Sequence, residues 1–278
     1  MPLETRPADL PWSPITFGAR LAQARRRGLA FEPFEAGQPA TLAQAYAGQA
    51  AAIGAWGEEV AGWKVGRIAD PAGLGVEDDR FVGPIFASSV QTAQSDQEVM
   101  GFDVIEGGEA ALEVEFVVRL AQDVAPHSVH APQDVLELVD QIHLGVEIAG
   151  SPAPNLNARS PLLSIAAFGN NLGLILGPAV AARADLDAIV CEALIDGVRV
   201  GAGGAGKLPG GVAAALAFAI NKTNDLGRPL RRGALISTGA TTGIHPVSAG
   251  QRLTARFGGA GEIQALARPL APWSAPGR

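Results

Sequence analysis

Three carboxylates and one lysine carry most of the chemistry available to this 278-residue chain. Residues Ala111 to Leu120 read ALEVEFVVRL, a strict alternation. Leu112, Val114, Phe116, Val118 and Leu120 share one face, and Glu113, Glu115, Val117 and Arg119 share the other, as on a strand with one packed side. Residues two apart on a strand lie roughly 6.5 to 7 Å apart, so both carboxylates can turn toward one point. Converging ionised carboxylates repel unless a cation lies between them. Mg²⁺ accepts such carboxylates and leaves positions for water or substrate oxygens. Glu-x-Glu is also an ordinary feature of the solvated face of an amphipathic strand. A second segment, His143 to Ser151 (HLGVEIAGS), points away from that reading, because Glu147 lies opposite in parity to Leu144, Val146 and Ile148 and supplies a third carboxylate on a strand.

The lysine is Lys64, in Val60 to Gly66 (VAGWKVG), one of three lysines beside Lys207 and Lys222. Flanked by Trp63 and Val65 on a short predicted strand, it either snorkels from a core edge or sits where its pKa is tuned for proton transfer. The glycines Gly201 to Gly206 (GAGGAG), with Lys207 after them, match the spacing of nucleotide-binding loops but not their context. Leu208 stands where a phosphate loop needs Ser or Thr. The run follows a hairpin, and Leu208 to Gly211 separate it from the next helix, unlike a dinucleotide fingerprint.

The elements that must position these groups are legible in part. Ser13-Pro14 and Gly28 bound a helix over 14–27 with Phe17, Leu21 and Ala24 inward; Arg25, Arg26 and Arg27 form a solvated last turn. Thr41 opens a second helix that ends at Gly57 and buries Leu42, Ala45, Tyr46, Ile53 and Trp56, with Gln49 interrupting the stripe. Asp70 to Gly83 is a loop of the kind that covers sites. Pro132 starts a predicted helix over Val135, Leu138, Val139 and Ile142; Ser151 to Ser160 is irregular; Leu162 to Gly177 reads as one or two buried strands. Asp196-Gly197 predicts a hairpin, Val212 to Leu226 a helix stopped by Gly227, and Leu230 to Ala267 a β-meander. Arg268 to Arg278, with three prolines, reads as a loosely held tail.

Composition narrows the function classes. With 47% hydrophobic and 18% charged residues the chain is an ordinary globular protein with ample material for a core. A net charge of −7 and no basic run longer than three residues argue against a nucleic-acid partner. A lone cysteine, Cys191, excludes an intrachain disulfide and any multi-thiolate metal site, and fits a reducing cytosol. No secretory signal or membrane span is read, so the expected location is cytoplasmic.

Taken in order, these motifs resemble the fumarylacetoacetate hydrolase superfamily, in its branch of 2-oxopent-4-enoate hydratases and 4-oxalocrotonate decarboxylases. The resemblance runs from TLAQAYAGQAAAI through GWKVG, EVEF, VEIAGS and LPGG to LRRGALISTGA. It implies an α+β fold, with an N-terminal helical cap (1–60) on a catalytic mixed β-roll or distorted barrel (61–278), assembled as a homo-oligomer, at least a dimer. It implies Mg²⁺ or Mn²⁺ on Glu113, Glu115 and Glu147, Lys64 and Asp79 as acid-base groups, and substrate contacts from Ser151, Arg159, Thr238 and Gly239. The implied activity is hydration of a small 2-oxo or 2-hydroxy-dienoic acid from aromatic catabolism, such as 2-hydroxypenta-2,4-dienoate. Decarboxylation of the oxalocrotonate type is the first alternative, and acylpyruvate C–C hydrolysis follows, since the Asn-Asp-Trp-Ser-Ala-Arg-Asp stretch of the hydrolases is absent. A non-catalytic ligand-binding relative is a further alternative. The sequence departs from the branch at Pro152, where Arg is usual, and at Ala167-Phe168-Gly169, where Ala-Asp-Asn is usual. Arg159, Asn170 and Asn171 are the candidates to replace the lost contacts.

Overall fold

The computed structural model describes residues 11–31, 37–180 and 185–270. Ser13 caps α1 (Pro14–Arg27), its hydroxyl accepting from the Thr16 N–H, and Gly28 ends the helix in the left-handed conformation. Thr41 caps α2 (Leu42–Trp56) through the Gln44 N–H, and Gly57 ends it likewise. The helices meet over Phe17, Leu21, Ala45 and Ile53, all buried. Gly18 makes the approach possible, because a Cβ there would come within 2.6 Å of the Ala52 nitrogen.

Beyond this hairpin the chain runs β1 (Val60–Arg67), β2 (Arg80–Phe86), β3 (Val90–Thr92), β4 (Val99–Val104), β5 (Glu109–Leu120) and β6 (Val139–Ser151). Two short helices follow, α3 (Leu156–Arg159) and α4 (Pro161–Ala166), then β7 (Asn171–Val180), β8 (Cys191–Ile195), β9 (Val198–Gly203) and α5 (Gly211–Asp225). The chain closes with β10 (Leu235–Ser237), β11 (Ile244–Pro246), β12 (Arg252–Phe257) and β13 (Gly261–Pro269). The first sheet, ordered β2-β1-β10-β5-β6-β7-β3 with β11 also on β5, is a strongly curled half-barrel; the second is ordered β4-β13-β12-β8-β9. Both are mixed: β1 pairs with β10 and β3 with β7 in parallel, β13 with β4 in parallel, and the rest antiparallel. This is an α+β roll, and residues of the helical hairpin and both sheets share one buried hydrophobic cluster. No helix among the described residues is long and apolar enough to cross a membrane.

Several elements differ from the sequence expectation. The helix expected after Pro132 is one short 3₁₀ turn, Val135–Leu138, and β6 begins at Val139. Val135, Leu138, Val139 and Ile142 imitate a helical stripe because the turn runs straight into a strand whose own apolar set is Ile142, Leu144, Val146 and Ile148. The apolar run from Leu162 starts as helix, with Ser160 as its cap and Pro161 in its first turn. Leu162 to Ala167 are all buried, so hydrophobicity carries no period there to separate helix from strand. The expected meander is divided: β10 and β11 join the first sheet, while only β12 and β13 form a hairpin in the second. Arg25 is not solvated but 6% exposed. Of the expected tail, residues 271–278 lie outside the described residues, and β13 extends to Pro269.

Gln49, the break in the α2 stripe, is buried and donates to the carbonyls of Val82 (2.9 Å) and Ile165 (2.8 Å), joining the hairpin to β2 and α4. Gln49→Met keeps the volume and removes both donors. Leaving buried carbonyls without a partner costs about 1–3 kcal/mol, so urea unfolding should show an unfolding free energy lowered by that amount, read as a lower midpoint with an unchanged m-value.

Candidate active site

Strand register assembles the site. In the β5/β6 pairing Glu113 stands directly opposite Glu147, and Glu115 opposite Gly145, which offers no side chain to crowd it. β10 on the other side of β5 sets Ser237 against Val117, and β1 sets Lys64 against Ser237. Partners in register emerge on the same face of a sheet, so Glu113, Glu115, Glu147, Ser237 and Lys64 share one side. One oxygen from each glutamate lies within 4.8 Å of the others, the one such gathering of His, Cys, Asp or Glu among the described residues. Glu113 is 5% exposed and the other two are fully buried. The charged face of β5 is interior, unlike the solvated face of an ordinary amphipathic strand.

The carboxylates are held individually. Glu115 Oε2 accepts from the Ser237 hydroxyl and, at 2.9 Å, from the Gly239 N–H. Glu147 Oε1 accepts from Asn171 Nδ2 at 3.0 Å, and its Oε2 lies 3.3 Å from Lys64 Nζ. Thr238 and Thr241 fasten this wall by donating to the carbonyls of Phe116 and Val114. Asn171 leaves a turn in which Phe168, Gly169 and Asn170 are consecutively left-handed (φ 59°, 64° and 59°), a conformation that costs an L-residue roughly 1–2 kcal/mol. Gly169 and Gly83 pass so closely that a Cβ on Gly83 would lie 2.5 Å from the Phe168 carbonyl oxygen.

The electrostatics follow from burial. Burial pushes the Glu113 carboxyl up to about 7, with Lys64 pulling down and Glu147 adding to the rise. Glu115 is raised well above the ordinary carboxylate range by burial and then by Glu147 and Glu113. For Lys64 burial is the largest influence and disfavours the charge, but Glu147, Glu113 and Glu115 together outweigh it and raise the pKa above that of an ordinary lysine. The cluster is thus short of positive charge. Glu115 Oε1 is buried with no hydrogen-bond partner. An all-oxygen donor set with a spare lone pair fits a hard divalent cation such as Mg²⁺ or Mn²⁺.

A cavity of about 380 Å³ opens onto this cluster, lined by Lys64, Glu113, Phe81, Thr238 and Gly239 among others. It brings together six of the residues singled out from the sequence, counting Glu115 and Glu147 behind Glu113. Three others lie elsewhere. Asp79 is half exposed, 3.8 Å from Arg80 Nε. The Ser151 hydroxyl accepts from the Ala153 N–H within its own turn, and Arg159 is exposed at the end of α3. None of the three lines the cavity. Asn170 donates to Glu109 and Asn171 to Glu147, so both amides serve carboxylates rather than the cavity wall. Sequence reasoning did not single out Ser237, or Arg67, Arg80 and Lys207, which line the outer cavity. Ser237 stands next to the Thr-Gly pair and could have been found by pairing LISTG with EVEFV. The three cations carried no local signal.

No family model matches the chain. Among solved structures, 4-oxalocrotonate decarboxylase from Pseudomonas putida G7, complexed with magnesium and adipate, superposes with a TM-score of 0.76 at 21% identity, covering 91% of this chain and 97% of that one. The chain shares the fold of this decarboxylase. Fumarylpyruvate hydrolase from Pseudomonas aeruginosa, in complex with Mn²⁺ and pyruvate, gives 0.57 at 17% identity over 74% of this chain and 88% of that one. 2-Hydroxyhepta-2,4-diene-1,7-dioate isomerase from Mycobacterium marinum gives 0.55 at 12% over 76% of each. Structures with this fold thus include a decarboxylase, a hydrolase and an isomerase, and the likeness to the decarboxylase extends over 91% of this chain.

In this fold the three glutamates repel one another at the floor of the cavity. Glu115→Gln removes one charge while its amide oxygen still accepts from Ser237 and Gly239. In thermal melts with chelator, Glu115→Gln should unfold at a higher temperature than wild type. Excess Mn²⁺ should raise the wild-type transition, by about 2.7 kcal/mol of stability at a hundredfold excess over Kd, and should leave that of the variant nearly unmoved.

Proposed function

We propose that the protein is a divalent-metal-dependent lyase acting on a small 2-oxo acid, with Glu113, Glu115 and Glu147 as the metal ligands. The observation that carries the reading is the buried, charge-deficient carboxylate cluster with an ammonium beside it at the end of a cavity of substrate size. Structures sharing the fold hold magnesium, calcium or manganese, which supports the choice of ion. When bound, the cation supplies Lewis-acid stabilisation of the enolate of a chelating 2-oxo acid.

This chain's own residues supply the remainder. Lys64, kept as an ammonium by the carboxylates, delivers a proton to the conjugated chain of the substrate. Its position beside the Phe81 ring, 5.6 Å from the centroid, keeps water from one side of it. Thr238 and Gly239 form the wall along which the substrate lies, fixed because Gly239 also donates to Glu115. Leu208 and Pro209 also line the cavity, Leu208 packing against Gly239. In hydration, water then adds to the protonated conjugated system through its oxygen and gives its spare proton to the Lys64 amine, which restores the ammonium.

A second reading, decarboxylation of a 2-oxo diacid, is favoured by one feature. Arg67, Arg80 and Lys207 line the outer cavity, where Glu113 is the sole acidic lining residue. Arg67 and Lys207 are exposed and have no carboxylate partner among the described residues. Arg80 donates to the Pro209 carbonyl, tying the 205–210 segment to β2, and neighbours Asp79. This rim suits a second carboxylate at the far end of the substrate.

Both readings are tested by following ultraviolet absorbance and NMR products of 2-hydroxypenta-2,4-dienoate and 4-oxalocrotonate with chelator, Mg²⁺ and Mn²⁺. Turnover should require metal, and Lys64→Met should lower kcat by about 10² to 10⁴ with metal affinity retained. Metal-independent turnover, or none of either acid, would sink the lyase assignment. A KM for the diacid raised about tenfold in Arg67→Met/Lys207→Met, with the monoacid unaffected, would decide for decarboxylation.

A further inference from the structure

We infer that Arg25 is a positioning residue for the carboxylate cluster: it clamps the backbone that carries Asn171, whose amide orients Glu147, and so couples the N-terminal helical hairpin to metal affinity. The inference rests on reading that cluster as a metal site.

Arg25 lies in the last turn of α1, where its two neighbours in the basic triplet remain exposed. Its Nη1 donates to the Asn171 carbonyl at 2.9 Å and its Nη2 to the Leu172 carbonyl at 3.0 Å. The guanidinium lies over the rings of Trp56, Phe168 and Phe86, at 4.9, 5.3 and 5.5 Å from their centroids. No carboxylate forms an ion pair with it among the described residues; Glu58 acts only at longer range, and burial holds the guanidinium pKa down to about 10. A buried cation without a counter-ion is costly. A methionine or leucine would fill the same aromatic cage without that cost. What they lack is the planar fork, which holds two successive carbonyls in one fixed relation.

Those carbonyls belong to the first two residues of β7, immediately after the left-handed run at 168–170. A strained turn relaxes unless its exits are held. One exit is wedged against Gly83, and the other is the pair of carbonyls under Arg25. Asn171 is fully buried and uses one amide nitrogen on Glu147 Oε1 and on the Gly173 carbonyl. Its direction is therefore that of its backbone. Glu147 in turn stands in register with Glu113 and pairs with Lys64. Displacement of β7's first residues would turn the Asn171 amide away and free one ligand of the three.

The test is Mn²⁺ titration calorimetry on chelator-stripped wild type, Arg25→Met, Arg25→Lys, Asn171→Ala and the Arg25→Met/Asn171→Ala double variant, at a temperature where circular dichroism shows each folded. Loss of a group that orients a metal ligand weakens binding by about 10- to 100-fold. Arg25→Met and Asn171→Ala should each fall in that range, Arg25→Lys should recover part of the loss, and the double variant should bind no more weakly than Asn171→Ala alone. A purely structural Arg25 would lower the melting temperature and leave Mn²⁺ affinity as in wild type, which would overturn the inference. Additive losses would overturn it too. Should Arg25→Met not fold, hydrogen exchange on wild type decides, because coupling is reciprocal: Mn²⁺ should slow exchange in residues 22–29 as well as 168–175, and unchanged exchange in 22–29 would refute it. Wild type that takes up no Mn²⁺ would instead overturn the metal reading itself.

Discussion

Three carboxylates are gathered in the interior against a single ammonium, and much of the surrounding structure serves to keep them there. At an effective dielectric near 20, like charges at about 4.8 Å repel by roughly 3–4 kcal/mol per pair. Like charges directly opposite on antiparallel strands destabilise the pairing, and Glu113 and Glu147 stand so. The fold answers with register and dedicated donors. β5 is paired along its length and buried on both faces, so the strand cannot slip to relieve the repulsion without exposing Leu112, Val114, Phe116 and Val118. Ser237 and the Gly239 N–H hold Glu115 Oε2, while Asn171 and Lys64 hold the two oxygens of Glu147, and Glu115 Oε1 stays buried with no hydrogen-bond partner. Such an arrangement is a cost to folding accepted at a site, and a large continuous core carries it.

Charge also changes along the cavity. The floor is anionic and the outer part is lined by Arg67, Arg80 and Lys207. A divalent cation on the floor would make the whole cavity attractive to an anion, yet with two different kinds of contact: chelation at one end and guanidinium or ammonium at the other. The ends therefore discriminate between the carboxyl groups of an asymmetric acid, and the distance between them sets chain length. The segment carrying Lys207 is fastened by the Arg80 contact to the Pro209 carbonyl, so the rim and the cover over the cavity are one unit.

What could be read in the sequence was what local chemistry determines. α1 and α2 were bounded by Ser-Pro, Thr and glycine because caps act within one turn. The glutamate strands were visible through alternation, and the hairpin at Asp196-Gly197 through its turn residues. The failures fall where two or more outcomes share one local pattern. Leu162 to Ala167, buried all round, fits helix and strand alike, and the stripe after Pro132 was assembled from a 3₁₀ turn and the start of a strand. Arg25 read as solvent-exposed because a basic triplet at a helix end ordinarily is. Its burial is decided by Trp56, Phe86 and Phe168, from three distant segments. Asn171 could be noticed in sequence but not assigned to Glu147, since only the β6/β7 pairing and the turn before it bring them together.

The departures from the branch's usual pattern lie next to this turn, and the geometry gives them a physical sense. Where an aspartate is usual, Phe168 supplies an aromatic face, packed edge-on against Phe86 at 5.1 Å and under the Arg25 guanidinium. An acid at that position could have met Arg25 as an ion pair. With a phenyl ring there, the guanidinium is left to direct its donors at the backbone carbonyls of Asn171 and Leu172. The phenyl ring fills this buried place without leaving a void. Glu113 is the one carboxylate that lines the cavity. A single carboxylate at the floor and three cations toward the rim make the cavity's lining predominantly cationic, so its electrostatics favour an anion over a neutral molecule.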